Sequence, residues 1–275
     1  MSKVKNAFEK KKAFIPFITA GDPDAESTVR FVLAAARAGA DLIEIGIPFS
    51  DPTAEGPVIQ EADTRALAAG MTVRGAFDVV RKVRAEDPEI PLAFMTYLNP
   101  VFKYRGDTDG SIPYEPFLAE CSELGIDALI IPDLPFEEQE EILPYTEKYG
   151  VDLISMISPT SDERIRSIAE SAKGFIYVVS SMGVTGVRSS FQYDAISRMI
   201  SVIRETNPEI PCAVGFGIST PEQAEKMAAI SDGAIVGSAI IRLIHRYGED
   251  DAEQAIFKYV SEMKAAVMRA GSSCE

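Results

Sequence analysis

One strand-like run and the loop after it carry the residues most able to do chemistry. In DLIEIGIP (41–48), alternation sets Ile43, Ile45 and Ile47 on one face and Leu42, Glu44 and Gly46 on the other. If the isoleucines meet an apolar shell, Glu44 points the other way, into the interior. A buried ionised carboxylate costs several kcal/mol unless it is partnered or protonated. Its pKa should therefore rise toward neutrality, as a general acid/base requires. The alternative is a carboxylate satisfied by structural hydrogen bonds. The loop PFSDPTAEGP (48–57) adds Asp51 and Glu55. A second carboxylate near Glu44 would let acid, base and electrostatic roles be divided, and Gly/Pro-bounded loops of this size often close on substrate. By spacing alone, acidic loop residues are equally at home in solvent.

A second signal concerns anions. GVTG (183–186), GFG (215–217) and GSA (237–239) fall at or just after the ends of three later apolar runs. Glycines there let backbone N–H groups approach an anion, and a helix N-terminus adds its dipole. The other reading is that they serve tight turns. The chain has 27 Lys+Arg against 42 Asp+Glu, a net charge of −15. That field repels nucleic acid and anionic membrane surfaces. A phosphate site built from backbone donors suits such a chain.

Absences narrow the reaction further. The strand-like runs hold no lysine, which disfavours Schiff-base and pyridoxal chemistry in this chain. The single histidine, His245, lies in a late helical pattern and reads as a surface or packing residue. Cys121, Cys212 and Cys274 form no CxxC pair, so no metal site is expected, and the sparse, odd count fits a reducing cytoplasm. Phe17, Tyr97, Tyr177 and Phe216 fall on the first, third, sixth and seventh runs and could wall a pocket for a flat ring. Carboxylate acid/base chemistry on an aromatic or apolar phosphate ester remains.

These residues need a scaffold, and the chain supplies a regular one. Eight apolar runs of strand length (13–20, 41–48, 91–98, 126–133, 151–158, 174–181, 211–218 and 232–239) alternate with amphipathic stretches. Asp24, Thr72 and Thr220-Pro221 mark helix starts, and Gly39, Gly70 and Gly125 stand where helices would end. Eight such units in a chain of this length predict an α/β fold, a (β/α)8 TIM barrel. An open doubly wound sheet is the alternative, but the GDPD after the first run is not its glycine fingerprint. No linker divides the chain, so residues 1–275 read as a single domain with a short flexible tail at about 271–275. The polar segment 103–116 reads as a solvated loop; its Arg105-Gly106-Asp107 tripeptide and Asp-rich run lack EF-hand ligand spacing. The N-terminus lacks a signal-peptide pattern, and no stretch approaches the ~18 apolar residues of a membrane span. A cytoplasmic protein is expected.

The blocks PFITAGDP (16–23), DLIEIGIPFSDPTAEGPVIQEA (41–62), NPVF (99–102), PDLPFEE (132–138), SSMGVTG (180–186) and GFGIS (215–219) resemble, in order, the tryptophan synthase alpha chain family over about residues 13–270. The resemblance implies a barrel lyase that cleaves indole-3-glycerol phosphate to indole and glyceraldehyde 3-phosphate, indole then passing to a beta chain. It implies no cofactor in this chain, with pyridoxal phosphate in the beta chain, and an alpha2-beta2 heterotetramer. By position, Glu44 matches the principal acid/base. Glu55 matches the carboxylate that partners the indole N–H, a place often held by aspartate, so it departs by one methylene. Phe17, Tyr97, Tyr177 and Phe216 match ring-pocket positions; Thr185, Gly186, Gly215, Gly217, Gly237 and Ser238 match the phosphate cradle. Pro48, Asp51, Asn99 and Pro135 match the partner interface, and the 103–116 segment is longer than the family pattern leads one to expect. Alternatives are another phosphate-binding barrel isomerase or lyase of the same pathway, or a weakly catalytic subunit that mainly activates a beta-type partner.

Overall fold

The computed structural model describes residues 3–9, 12–104, 113–179, 189–215 and 217–272. Its strands are β1 (Ala13–Thr19), β2 (Ile43–Gly46), β3 (Leu92–Met95), β4 (Ala128–Ile130), β5 (Asp152–Leu153), β6 (Ser155–Ile157), β7 (Ile176–Val179), β8 (Cys212–Gly215) and β9 (Gly233–Val236). All pair in parallel, in the order β5-β4-β3-β2-β1-β9-β8-β7-β6. Only Ile154 separates β5 from β6. The first half pairs with β4 and the second with β7, so together they occupy one strand position. Eight positions thus make a nearly closed TIM barrel, with the predicted 151–158 strand broken in its middle.

Side-chain size sorts the layers. Ala13, Ile15, Leu42, Ala93, Ala128, Ile130, Phe175, Ala213 and Ile235 fill the interior. Phe14, Ile18, Ile43, Ile45, Phe94, Val178, Val214 and Val236 face outward into the larger core beneath the helices. Alanines alternate with Ile, Leu and Phe in the inner layer, small against large, so that side chains from facing strands fill the axis. The N-terminal 3₁₀ turn Val4–Ala7 covers the amino ends of the strands. There Val4 and Ala7 are buried, and the Phe8 ring lies 5.4 Å from that of Phe175. Asp127 accepts from the Lys3 N–H (2.8 Å) and the Leu92 N–H (3.0 Å), tying the turn to the barrel.

The helices are α1 (Ala25–Arg37), α2 (Pro57–Ala68), α3 (Val73–Glu86), α4 (Leu98–Phe102), α5 (Glu115–Glu123), α6 (Leu143–Tyr149), α7 (Asp162–Ser171), α8 (Ser189–Thr206), α9 (Pro221–Ile230) and α10 (Ser238–Ser272). The predicted starts are real caps. Asp24 accepts from the Ser27 N–H, Thr72 from the Gly75 N–H, and Thr220 forms a reciprocal capping box with Gln223. Gly39, Gly70 and Gly125 lie just past α1, α2 and α5 with φ of 99°, 89° and 65°, the left-handed geometry that ends helices. Gly248 breaks α10 with φ 67° and ψ −169°, leaving a short piece that begins at Ser238. Among the described residues no helix is long and apolar enough to cross a membrane, and no His/Cys/Asp/Glu group is placed to hold a metal. The RGD tripeptide (105–107), the tail beyond 272, Thr185, Gly186 and Phe216 lie outside the described residues.

Candidate active site

Glu44 occupies the place its alternation predicted. Ile43 and Ile45 pack outward, while Glu44, fully buried, faces the interior between Phe17 of β1 and Ala93 of β3. Neither of its carboxylate oxygens has a hydrogen-bond partner among the described residues. No described residue satisfies the carboxylate through a structural hydrogen bond. Burial holds the Glu44 carboxyl well above the usual carboxylate range, and the charge of Glu55 adds to this. The protonated form of Glu44 is thereby favoured relative to an exposed glutamate.

The loop between β2 and α2 brings Glu55 toward the same space. The Ala54 N–H donates to the Tyr97 hydroxyl at 2.9 Å, and the Phe49 ring stacks on Tyr97 with centroids 5.3 Å apart. Glu55 itself follows a tight turn, its N–H bonded to the Pro52 carbonyl, and its own carbonyl accepts from Gln60 Nε2 at 2.9 Å. Gly56 and Pro57 then open α2. Burial pushes the half-buried Glu55 carboxyl up to about 7. It can exchange between charged and neutral forms near physiological pH.

The ring-pocket residues divide. Phe17 and Tyr177 line the interior, at 4% and 7% exposure. Glycines make room for both: a Cβ on Gly46 would overlap the Phe17 ring, and one on Gly215 would overlap the Tyr177 hydroxyl. Burial, then the charges of Glu44 and Glu55, raise the Tyr177 hydroxyl, keeping it a neutral donor. Tyr97 is not on the third strand as expected. β3 ends at Met95, and the buried Tyr97 is the residue before α4, where it can reach the 48–57 loop.

At the anion pole, Gly237 and Ser238 are half-buried where β9 turns into α10. The first N–H groups of a helix have no intrahelical acceptor and point along its axis. Gly217 is exposed with φ 76° and open space about its α-carbon, and Gly215 is buried against Tyr177. Of the interface positions, Asp51, Asn99 and Pro135 are exposed and Pro48 is buried. His245 is exposed on α10, and Cys121 and Cys212 are buried free thiols.

Two polar residues escaped the sequence reading. Asp63 lies on the buried face of α2 with Ile59, Ala62 and Ala66, an acidic residue inside an apolar i, i+3, i+4, i+7 stripe that could have flagged it. Burial and then the Glu55 charge push it to about 7, against a hydrogen bond from the Phe49 N–H, with Asp22 adding a smaller rise. Asp22 is itself held by Arg65 through Nε (2.9 Å) and Nη2 (2.8 Å). The other is Thr19, two residues beyond Phe17 on the same face of β1 and wholly buried. Alternation alone would have placed it in the interior.

Comparison with known proteins agrees with this geometry. The family model described as tryptophan synthase alpha chain matches residues 2–268. The tryptophan synthase alpha chain of Lacticaseibacillus casei is 50% identical over 268 residues, covering 97% of this chain and 96% of that one. The crystal structure of tryptophan synthase subunit alpha from Legionella pneumophila superposes with a TM-score of 0.85 at 37% identity, covering 98% and 99% of the two chains. A chain in the structure of Mycobacterium tuberculosis tryptophan synthase gives 0.84 at 30% identity, covering 97% and 98%. With an interior carboxylate at the mouth of the same barrel, the chain belongs to the tryptophan synthase alpha chain family.

Proposed function

We propose that Glu44 and Glu55 carry out the alpha reaction of this lyase family, cleaving indole-3-glycerol phosphate to indole and glyceraldehyde 3-phosphate. The observation that carries the assignment is the Glu44 carboxyl, fully buried at the barrel mouth with both oxygens unpartnered. An unpartnered carboxyl, protonated or not, is costly to bury without a use. With its pKa raised, Glu44 can deliver a proton to the indole carbon that bears the glycerol chain. Positive charge then develops at the ring nitrogen, where ionised Glu55 accepts the N–H. The Glu44 carboxylate removes the proton from the adjacent glycerol hydroxyl as the carbon–carbon bond breaks. That electron pair restores the ring as indole, the hydroxyl carbon leaves as an aldehyde, and Glu44 regains its proton. Phe17 and Tyr177 flank the ring, and the family resemblance assigns Phe216 to the same wall. The start of α10 at Gly237 and Ser238 holds the phosphate together with Gly215 and Gly217, and the family resemblance assigns Thr185 and Gly186 to the same cradle.

Tryptophan synthase alpha chains work with beta chains, and here the exposed Asp51, Asn99 and Pro135 follow the carboxyl ends of β2, β3 and β4, Asn99 within the short α4. We assign them to the face that meets a beta chain in an alpha2-beta2 assembly in the cytoplasm, pyridoxal phosphate residing in the beta chain. Because Asp51 and Glu55 share one loop, docking there would also restrain a catalytic group. The test is indole release from indole-3-glycerol phosphate by wild type and Glu44→Gln, with and without a beta chain. The variant should fold and bind phosphate yet lose at least ~100-fold in turnover. Near-wild-type turnover would remove Glu44 from the mechanism.

A further inference from the structure

Among the described residues, the buried side-chain polar atoms without a hydrogen-bond partner are the two oxygens of Glu44 and the hydroxyl of Thr19. An unpaired buried hydroxyl is destabilising, and valine would fill nearly the same space without that penalty. Its location gives the hydroxyl a use. Thr19 pairs with Gly46, two residues beyond the Phe17–Glu44 pair, so it stands one step nearer the mouth than the carboxylate. On its other side β1 runs against β9. The register Pro16↔Val236 brings Phe17 beside Gly237, where a Cβ would lie 3.3 Å from the Phe17 ring. Continuing that register sets Thr19 level with the first residues of α10. β1 is thus the strand between the acid/base and the helix start assigned to phosphate.

We infer that Thr19 is a substrate-positioning residue, its hydroxyl hydrogen-bonding a hydroxyl of the polyol chain that links the aromatic ring to the phosphate. The inference rests on the function proposed above and adds a contact to it. A substrate held only at ring and phosphate still turns about the bonds between them. Cleavage requires the breaking bond to stand across the plane of the ring π system, and fixing one chain hydroxyl removes that freedom. Glu44 cannot set the torsion alone, because it must release and recapture protons during the same event.

The experiment compares wild type, Thr19→Val and Thr19→Ser in steady-state indole release and thermal unfolding. It also measures binding of an analogue with an unbranched propyl chain between indole and phosphate. Thr19→Val should lose about 10- to 100-fold in kcat/KM, mostly in kcat, while Thr19→Ser stays within about threefold. The analogue, lacking chain hydroxyls, should bind wild type and Thr19→Val equally, and Thr19→Val should melt at or above the wild-type temperature. Equal turnover by Thr19→Val and wild type would overturn the assignment, and so would equal impairment of the two variants. A Thr19→Val chain that melts lower and loses the analogue would make the hydroxyl structural, overturning it too. Failure of wild type itself to release indole would overturn the underlying function, a result visible before any variant is compared.

Discussion

Replacing Glu55 by glutamine should make the protein less active and, at alkaline pH, more stable. The Glu55 carboxyl is raised from an ordinary 4.5 to about 7 by burial. Across that window the folded chain holds a proton that the unfolded chain releases. The stability so gained is fully present below pH 4.5, declines as pH rises from 4.5, and is gone above about 7. At about 1.36 kcal/mol per pH unit the shift is worth about 3 kcal/mol. Solvent on the exposed side of this half-buried group screens part of it, leaving about 2 kcal/mol. Glutamine has no proton to lose, so the variant keeps its stability where wild type sheds it. The melting entropy of a chain this long is roughly 0.6 kcal/mol per kelvin, from about 2.1 cal/mol/K per residue. The melting temperature of Glu55→Gln relative to wild type should therefore rise by about 3 °C between pH 5 and pH 8.5. Relief of the repulsion on Asp63 acts in the same sense. Thermal unfolding of both proteins at the two pH values, followed by circular dichroism, measures it. A difference unchanged between the two would refute the reasoning, showing Glu55 solvated in the folded chain.

Two other substitutions probe the surroundings of the pair. Asp63→Asn keeps an acceptor for the Phe49 N–H but removes a negative neighbour, so Glu55 should ionise at lower pH. The acid limb of the kcat/KM profile for indole release should move to lower pH, and an unmoved limb would uncouple the two groups. Gly215→Ala would drive a methyl into the Tyr177 hydroxyl. It should cost about 1–3 kcal/mol in a urea melt and raise the substrate KM, whereas wild-type values would mean that the tyrosine has room to retreat.

Much of the site was legible before any coordinates because strand alternation is strict. The isoleucines at 43 and 45 leave Glu44 no other direction, and side-chain caps such as Asp24 and Thr72 declare helix starts by chemistry. Legibility fails where a local pattern continues after the geometry has changed. The apolar run through Tyr97 does not show that β3 stops at Met95, and nothing in VDLISMIS marks the break at Ile154, which depends on two different neighbours. Only the end of α2 was marked, by Gly70: Asp63 stands in its buried stripe and dilutes the periodicity that would announce the rest of the helix. The environment that makes Asp63 interesting also conceals it. The roles of the glycines needed the packed structure as well, since Gly215 makes room for the Tyr177 hydroxyl and Gly237 stands at a helix start.

The 3₁₀ turn that covers the amino ends of the strands bears on traffic. With Val4 and Ala7 buried beneath the barrel and Phe8 against Phe175, the described residues close the amino end of the interior and leave the carboxyl rim as the way in. A large bound molecule enters, and two unlike fragments, one an apolar disc and one a small anion, must leave by the same rim. Whatever covers that rim therefore governs the order of departure. A cover that opens only onto an apolar passage would release the disc while the anion stays behind on the helix start. If a partner docks at the mouth as proposed above, a sealed far end would make that docking face a sorting gate.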